Sequence, residues 1–291
     1  MDLSSPAVVN RIRDRFHLQP SKSLGQNFIT DGNIVRKIVD GAGITGEDLV
    51  IEIGPGIGVL TSVLAERAAF VVAVELDTRL LPVLDETLAE YDNIRVINAD
   101  ILKTDLHKLV RTCREEGLFT GKVRVIGNLP YYITTPIIMK LLEEQVPADS
   151  ITVMMQKEVA DRIRSAPGSR TYGAISVCVQ YYCRVEKVAD VPKEAFIPRP
   201  KVASTVLNLE PLEEKTAVAD EKTFFRCVKA GFAQRRKTLL NSLASAGGAD
   251  KEQVRALLEA AGIDPGRRAE TLTVEEFGRI ADGFFKEHSQ E

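Results

Sequence analysis

Short, mostly apolar runs alternate with amphipathic stretches over the first two thirds of the chain. The runs fall at residues 49–53, 70–74, 94–97, 123–126 and 151–155. Strands separated by helical segments in this rhythm predict βαβ units, and so a parallel sheet covered by helices. The clearest helix start has Thr135 as N-cap and Pro136 at the first helical position, with apolar Ile137, Ile138, Leu141 and Leu142 behind. Two further β-rich stretches, 175–185 and 203–209, complete the sheet in this reading. The pattern changes at Glu210-Pro211-Leu212-Glu213-Glu214, which places a boundary between an α/β domain, residues 1–210, and a small all-α domain, residues 211–291. In the second domain Asp250 with Gln253, and Thr273 with Glu276, have the spacing of capping boxes, and Leu272 and Phe277 flank the latter as a staple. No internal repeat or low-complexity tract is present.

Composition sets limits on this picture. A chain of 291 residues, 44% hydrophobic, buries one full α/β core and a smaller one. It lacks any uncharged apolar run of about 18 residues, and Arg11, Arg13, Asp14 and Arg15 stand where a signal peptide needs an apolar segment. A soluble, cytoplasmic protein without membrane association is expected, working as a monomer. Cys113, Cys178, Cys183 and Cys227 show no C-x-x-C spacing and no histidine completes a zinc set, so they are read as reduced thiols and no metal site is expected. The formal net charge of -3 excludes a uniformly basic binder of nucleic acid. Locally the balance inverts: across residues 222–248 the charged residues are Lys222, Arg226, Lys229, Arg235, Arg236 and Lys237, with no acid among them. A polyanion would be held there, through phosphate contacts from Arg235, Arg236 and Lys237.

The candidate chemistry gathers at strand ends. Ile51-Glu52-Ile53-Gly54-Pro55-Gly56-Ile57-Gly58 follows a strand and opens a helix, so that backbone N–H groups approach a ligand without Cβ interference. Its G-x-G-x-G spacing departs from the G-x-G-x-x-G of nicotinamide folds. Glu75 ends the second predicted strand and Asp100 follows the third, which brings both acids to the carboxyl edge of the sheet. Glu75 is placed to accept from ribose hydroxyls and Asp100 from an adenine amino group. Asn128-Leu129-Pro130-Tyr131 ends the fourth strand. An adenine N6 lone pair is delocalised and poorly nucleophilic. Two carbonyls, the Asn128 side chain and the Leu129 backbone held by Pro130, would accept the N6 hydrogens and favour a pyramidal, reactive nitrogen. Tyr131 offers a ring to a flipped base, and Phe196, in a loop stiffened by Pro198 and Pro200, offers a second.

These stretches, with Ser23-Leu24-Gly25-Gln26-Asn27-Phe28-Ile29, Phe196-Ile197-Pro198-Arg199-Pro200-Lys201-Val202, Phe232-Ala233-Gln234-Arg235-Arg236-Lys237-Thr238-Leu239 and Arg267-Arg268-Ala269-Glu270-Thr271-Leu272, resemble the small-subunit ribosomal RNA adenine N6,N6-dimethyltransferase family over nearly the whole chain. The resemblance implies a Rossmann-like, seven-stranded class I methyltransferase domain with a small all-α C-terminal domain. It implies S-adenosyl-L-methionine as cofactor, contacted by Asn27, Ile29, Gly54, Glu75, Asp100 and Asn128, and a catalytic set of Asn128, Leu129, Pro130, Tyr131 and Phe196. The implied reaction dimethylates two adjacent adenosines in a hairpin near the 3′ end of 16S rRNA, in an immature small ribosomal subunit. Two positions depart from the family pattern: Ile29 replaces the usual Leu, and Ala203 stands where Asp is common.

Three other readings compete. Macrolide-resistance methyltransferases of large-subunit rRNA share the Asn-Leu-Pro-Tyr loop, but the later motifs favour the small-subunit family. An assembly factor that binds RNA without turnover would not need Glu75, Asp100 and the Asn128 loop together. A nicotinamide oxidoreductase would need a hydride-transfer site, and nothing after the third strand resembles one.

Overall fold

The computed structural model describes residues 2–18, 25–247 and 250–288. Among the described residues nine strands form two sheets: β1 (Phe28–Ile29), β2 (Leu49–Ile53), β3 (Phe70–Glu75), β4 (Ile94–Asn98), β5 (Val123–Asn128), β6 (Ser150–Gln156), β7 (Cys183–Val191), β8 (Phe196–Ile197) and β9 (Ser204–Pro211). The large sheet runs β4-β3-β2-β5-β6-β9-β7, and β1 pairs with β8. Every position of β2 is buried, as a central strand covered on both faces requires. The five early runs fall on β2 to β6 with ends shifted by no more than two residues.

Register carries the functional consequence. In the parallel pairs Ile53 aligns with Val74 and with Gly127, and Glu75 with Asn98. The carboxyl ends of β2, β3, β4 and β5 therefore lie side by side, and the residues that follow them share one edge. Between β2 and β5 the order of the sheet reverses direction, which is where open α/β sheets leave a crevice. β9 returns antiparallel to β6 with Gln156 opposite Ser204, which delivers Ser204 to the same edge.

The chain divides into two compact units, one of Met1–Ala160 with Val185–Pro211 and one of Asp161–Arg184 with Leu212–Glu291. A single cut after residue 210 differs from this division in the segment Asp161–Arg184. Part of that segment overturns a strand expectation: residues 175–182 of the stretch 175–185 read as β lie in the helix Ala174–Tyr182, and β7 begins only at Cys183. The run is apolar on all sides, so its periodicity does not separate a buried helix from a buried strand. Packing decides in favour of the helix, with Ser176, Val177, Val179, Tyr181 and Tyr182 buried and the Tyr181 ring stacked on Phe224 at 4.5 Å.

Of the two capping boxes expected in the second unit, the one at Thr273 and Glu276 is closed in both directions, and at Asp250 the N-cap half is present. Asp250 accepts from the amides of Glu252 and Gln253. The Thr273 and Glu276 side chains each accept from the other's backbone N–H, at 3.2 and 2.9 Å, and Leu272 and Phe277 are fully buried. The earlier helix starts two residues before the expectation, with Ile133 rather than Thr135 at the N-cap of Thr134–Glu143.

Candidate active site

A cleft of about 1180 Å³, counted to its open mouth, lies along the shared strand edge. The loop after β2 forms one wall. Its backbone turns through left-handed φ at Gly54 (72°) and Gly56 (60°), where a side chain would be strained. A Cβ at Gly56 would also press on the Phe28 ring at 3.2 Å, so this glycine lets β1 close over the loop. The Gly54 amide donates to the Val74 carbonyl at 3.0 Å, tying the loop to the exit of β3.

Two buried carboxyls line the cleft. Glu75 is 7% exposed, and its Oε1 accepts from the Asp77 amide at 2.7 Å. Burial raises its pKa above the ordinary carboxylate value, against the pull of the Asp77, Gly56 and Leu76 amides and with a push from the Asp77 charge. Glu52 is 1% exposed, and burial, with Glu75 nearby, pushes it up to about 8. The shift, opposed by the Thr61 hydroxyl, favours the neutral carboxyl at pH 7, and its Oε2 has no hydrogen-bond partner among the described residues. Asp100 is half-buried, accepts from the Leu102 amide at 3.0 Å and faces Lys103 at 3.7 Å.

On the other side stands the loop after β5. The Asn128 Nδ2 donates to the Asn27 carbonyl at 3.0 Å, which leaves Oδ1 as the acceptor that the side chain presents. Leu129 is buried, and its amide donates to the Met154 carbonyl at 3.1 Å. Tyr131 is half-buried, and its hydroxyl shares a 2.8 Å hydrogen bond with Ser204. Burial raises the phenol pKa, with Ser204 opposing.

The cleft thus brings together Asn27, Ile29, Gly54, Glu75, Asp100, Asn128, Leu129, Pro130 and Tyr131. Phe196 departs from its expected place. Its side chain is 2% exposed in the apolar core, opposite Ile29 in the β1–β8 pair, and is absent from the cleft wall. A ring packed on all sides has no free face for a base, so Phe196 serves as a buried support behind β1. Arg235, Arg236 and Lys237 are exposed in the turn after the helix Glu221–Phe232, rather than on its face, within the second unit. Ser23 and Leu24 lie outside the described residues.

Sequence patterns did not single out the braces of this site. Asp77 is buried and ion-paired with Arg79 at 2.6 Å, and it accepts from the Gln26 side chain at 2.8 Å. The Gln26 segment is thereby pinned to the exit of β3. Asp77 also accepts from the Arg79 amide at 3.1 Å, and neither it nor Ser204 belongs to a pattern that the sequence reading picked out.

A reversing sheet of this order, with a glycine turn, a buried acid after the next strand and an Asn-Leu-Pro-Tyr loop across the cleft, defines a Rossmann-like methyltransferase. The ribosomal RNA adenine dimethylase family matches this chain over residues 16–286. The chain belongs to that family, whose members are S-adenosylmethionine-dependent rRNA methyltransferases. It is 51% identical over 287 residues to the ribosomal RNA small subunit methyltransferase A of Alkaliphilus oremlandii, covering 98% of each chain. It is 50% identical over 281 residues to the protein of the same name in Clostridioides difficile, covering 96% of each. Among solved structures, it is similar to a dimethyladenosine transferase from Plasmodium falciparum (26% identity, TM-score 0.74, 90% and 98% of the two chains). It is also similar to the 23S rRNA methyltransferase ErmE (27%, TM-score 0.66, 88% and 99%).

Proposed function

We propose that this chain dimethylates N6 of two adjacent adenosines in a hairpin near the 3′ end of 16S rRNA, within an immature small ribosomal subunit in the cytoplasm. The whole-length likeness to small-subunit methyltransferases supports the substrate class. One observation carries the chemistry: Asn128 lines the cleft together with the glycine loop and Glu75 and has its amide nitrogen committed to Asn27, which leaves its side-chain carbonyl as the remaining acceptor.

The cleft residues fit S-adenosylmethionine. The left-handed turn at Gly54 keeps the wall open, Glu75 presents a buried acceptor for ribose hydroxyls, and Asp100 presents another for the adenine amino group. Asn27, Ile29 and Asn128 would complete the set of contacts. When bound, the cofactor supplies an electrophilic methyl group on a positively charged sulfur. Pro130 stiffens the loop, and the Asn128 and Leu129 carbonyls accept the N6 hydrogens and stabilise positive charge as it develops on nitrogen. The surplus proton then leaves to water without a strong base. After the first methyl is in place one N–H remains, and either carbonyl orients it for the second. Tyr131, anchored by Ser204, offers its ring to the target base. Arg235, Arg236 and Lys237 would neutralise RNA phosphates from the second unit, a contribution that weakens as salt rises.

Asn128→Ala tests this reading. Turnover at saturating cofactor should fall roughly 10²–10³-fold, as for other preorganised transition-state contacts, while RNA affinity changes little. Single-turnover methylation of undermethylated small subunits is the readout. A variant as fast as the parent would refute the mechanism.

A further inference from the structure

Five large apolar side chains stand out as exposed among the described residues, and two of them, Leu76 and Tyr132, line the cleft. Leu76 follows Glu75 on the side assigned to the cofactor. Tyr132, 53% exposed, stands at the mouth on the side of the Asn128 loop. Consecutive tyrosines therefore have different surroundings: Tyr131 is half-buried and anchored to Ser204, while Tyr132 turns its ring outward.

The turn that presents Tyr132 is braced. The Ile133 amide and the Thr134 hydroxyl both donate to the Pro130 carbonyl, at 3.1 and 2.9 Å, and the helix Thr134–Glu143 begins at once. The ring also lies along the Gly25 backbone, close enough that a Cβ there would meet its Cδ1 at 3.6 Å. A large aromatic held by such a turn loses little freedom on meeting a ligand. Withdrawing a target base into the cleft also strips its neighbour of one stacking face.

We propose that Tyr132 is the stacking platform for the nucleobase beside the one being methylated, so that the enzyme positions the second adenosine while it acts on the first. This rests on the reading given under Proposed function. It makes Tyr132 a positioning and specificity residue rather than a catalytic one. An aromatic face prefers the larger π surface of a purine, so the site should discriminate against a uridine neighbour.

The test uses undermethylated small subunits whose 16S rRNA carries either adenosine or uridine next to a single target adenosine. The parent chain should methylate the adenosine-flanked target with the higher kcat/KM. Tyr132→Ala should lose about 5- to 150-fold on that substrate, the range that stacking of one base supports. It should lose much less on the uridine-flanked one, while S-adenosylmethionine affinity stays at the parent's value. Tyr132→Phe should keep the discrimination. A parent that treats both neighbours alike overturns the proposal without recourse to any variant. So does a Tyr132→Ala enzyme that folds and keeps the parent's preference, or one whose loss is all in cofactor binding. A parent that methylates neither subunit, nor unaltered undermethylated subunits, instead removes the reading on which the proposal rests.

Discussion

Glu52 and Glu75 leave adjacent parallel strands into one cleft, yet their surroundings give them different tasks. Glu75 accepts a 2.7 Å hydrogen bond from the Asp77 amide, as a group that must present fixed acceptors requires. Replacing it with Ala should weaken S-adenosylmethionine binding by about 1.5–3 kcal/mol, the worth of a hydrogen bond to a charged group. Titration calorimetry reads this directly, and unchanged affinity would rule out the ribose assignment. Glu52 has its pKa pushed up to about 8 by burial. The folded state therefore holds a proton that the unfolded chain releases near the ordinary carboxylate value of 4.5, so Glu52 contributes stability that is full below that value and is lost as pH rises toward 8. Glu52→Gln, which cannot ionise, should show a flatter decline in Tm between pH 6 and pH 8 than the parent. Identical slopes would mean that Glu52 does not titrate in this window. Glu75, Asp100 and the Asn128 loop were legible from sequence because each sits at or just past a strand end, whereas Glu52, inside β2, was read only as part of the stretch that leads into the glycine turn. Their braces were not, since Gln26 meets Asp77 across 51 positions and Tyr131 meets Ser204 across 73. Phe196 misled because an aromatic leading into Pro198 and Pro200 looks displayed, whereas pairing of β8 with β1 turns it into the core.

Local rules worked best where each element signals its own ends. The runs for β2, β3, β5 and β6 mark strands because burial on both faces leaves few polar positions, while the half-buried edge strand β4 keeps Arg95 and Asn98 beside its apolar residues. The box at Thr273 and Glu276 marks the start of the helix Val274–His288 for a similarly local reason. That cap is reinforced at longer range by Arg267, which pairs bidentately with Glu276 at 2.6 and 2.9 Å. Glu276→Ala should lower the stability of the helical unit by about 2–3 kcal/mol, combining a lost cap with a partly buried charge-assisted pair. Arg267 holds the Glu276 pKa below the ordinary carboxylate value, so this contribution is present at neutral pH and fades as pH falls through the lowered pKa. Denaturant melts of Glu276→Ala beside Glu259→Ala, an exposed helical control, measure the difference. Equal midpoints for the two variants would show that the Glu276 contacts add nothing. The helix Ala174–Tyr182 was illegible because its evidence is tertiary: Tyr181 stacks on Phe224, and both tyrosine hydroxyls donate to Glu221.

At the scale of the whole molecule, the sheet supplies a cleft and the helical unit supplies exposed cations. The family match spans both, and the account joins them in one activity on structured RNA. Net charge alone would have hidden the RNA partner, since a total of -3 averages an acid-free basic stretch with acidic surface elsewhere. The seven-stranded order was expected from the resemblance of several short motifs, whereas periodicity alone indicated only a parallel βαβ sheet. The most direct test supplies the purified chain with methyl-labelled S-adenosylmethionine and both ribosomal subunits from cells lacking the activity. Mass spectrometry then maps the label on the RNA. The account predicts two adjacent N6,N6-dimethyladenosines near the 3′ end of 16S rRNA and none in 23S rRNA. Label confined to 23S rRNA, or no transfer to either RNA, would contradict it.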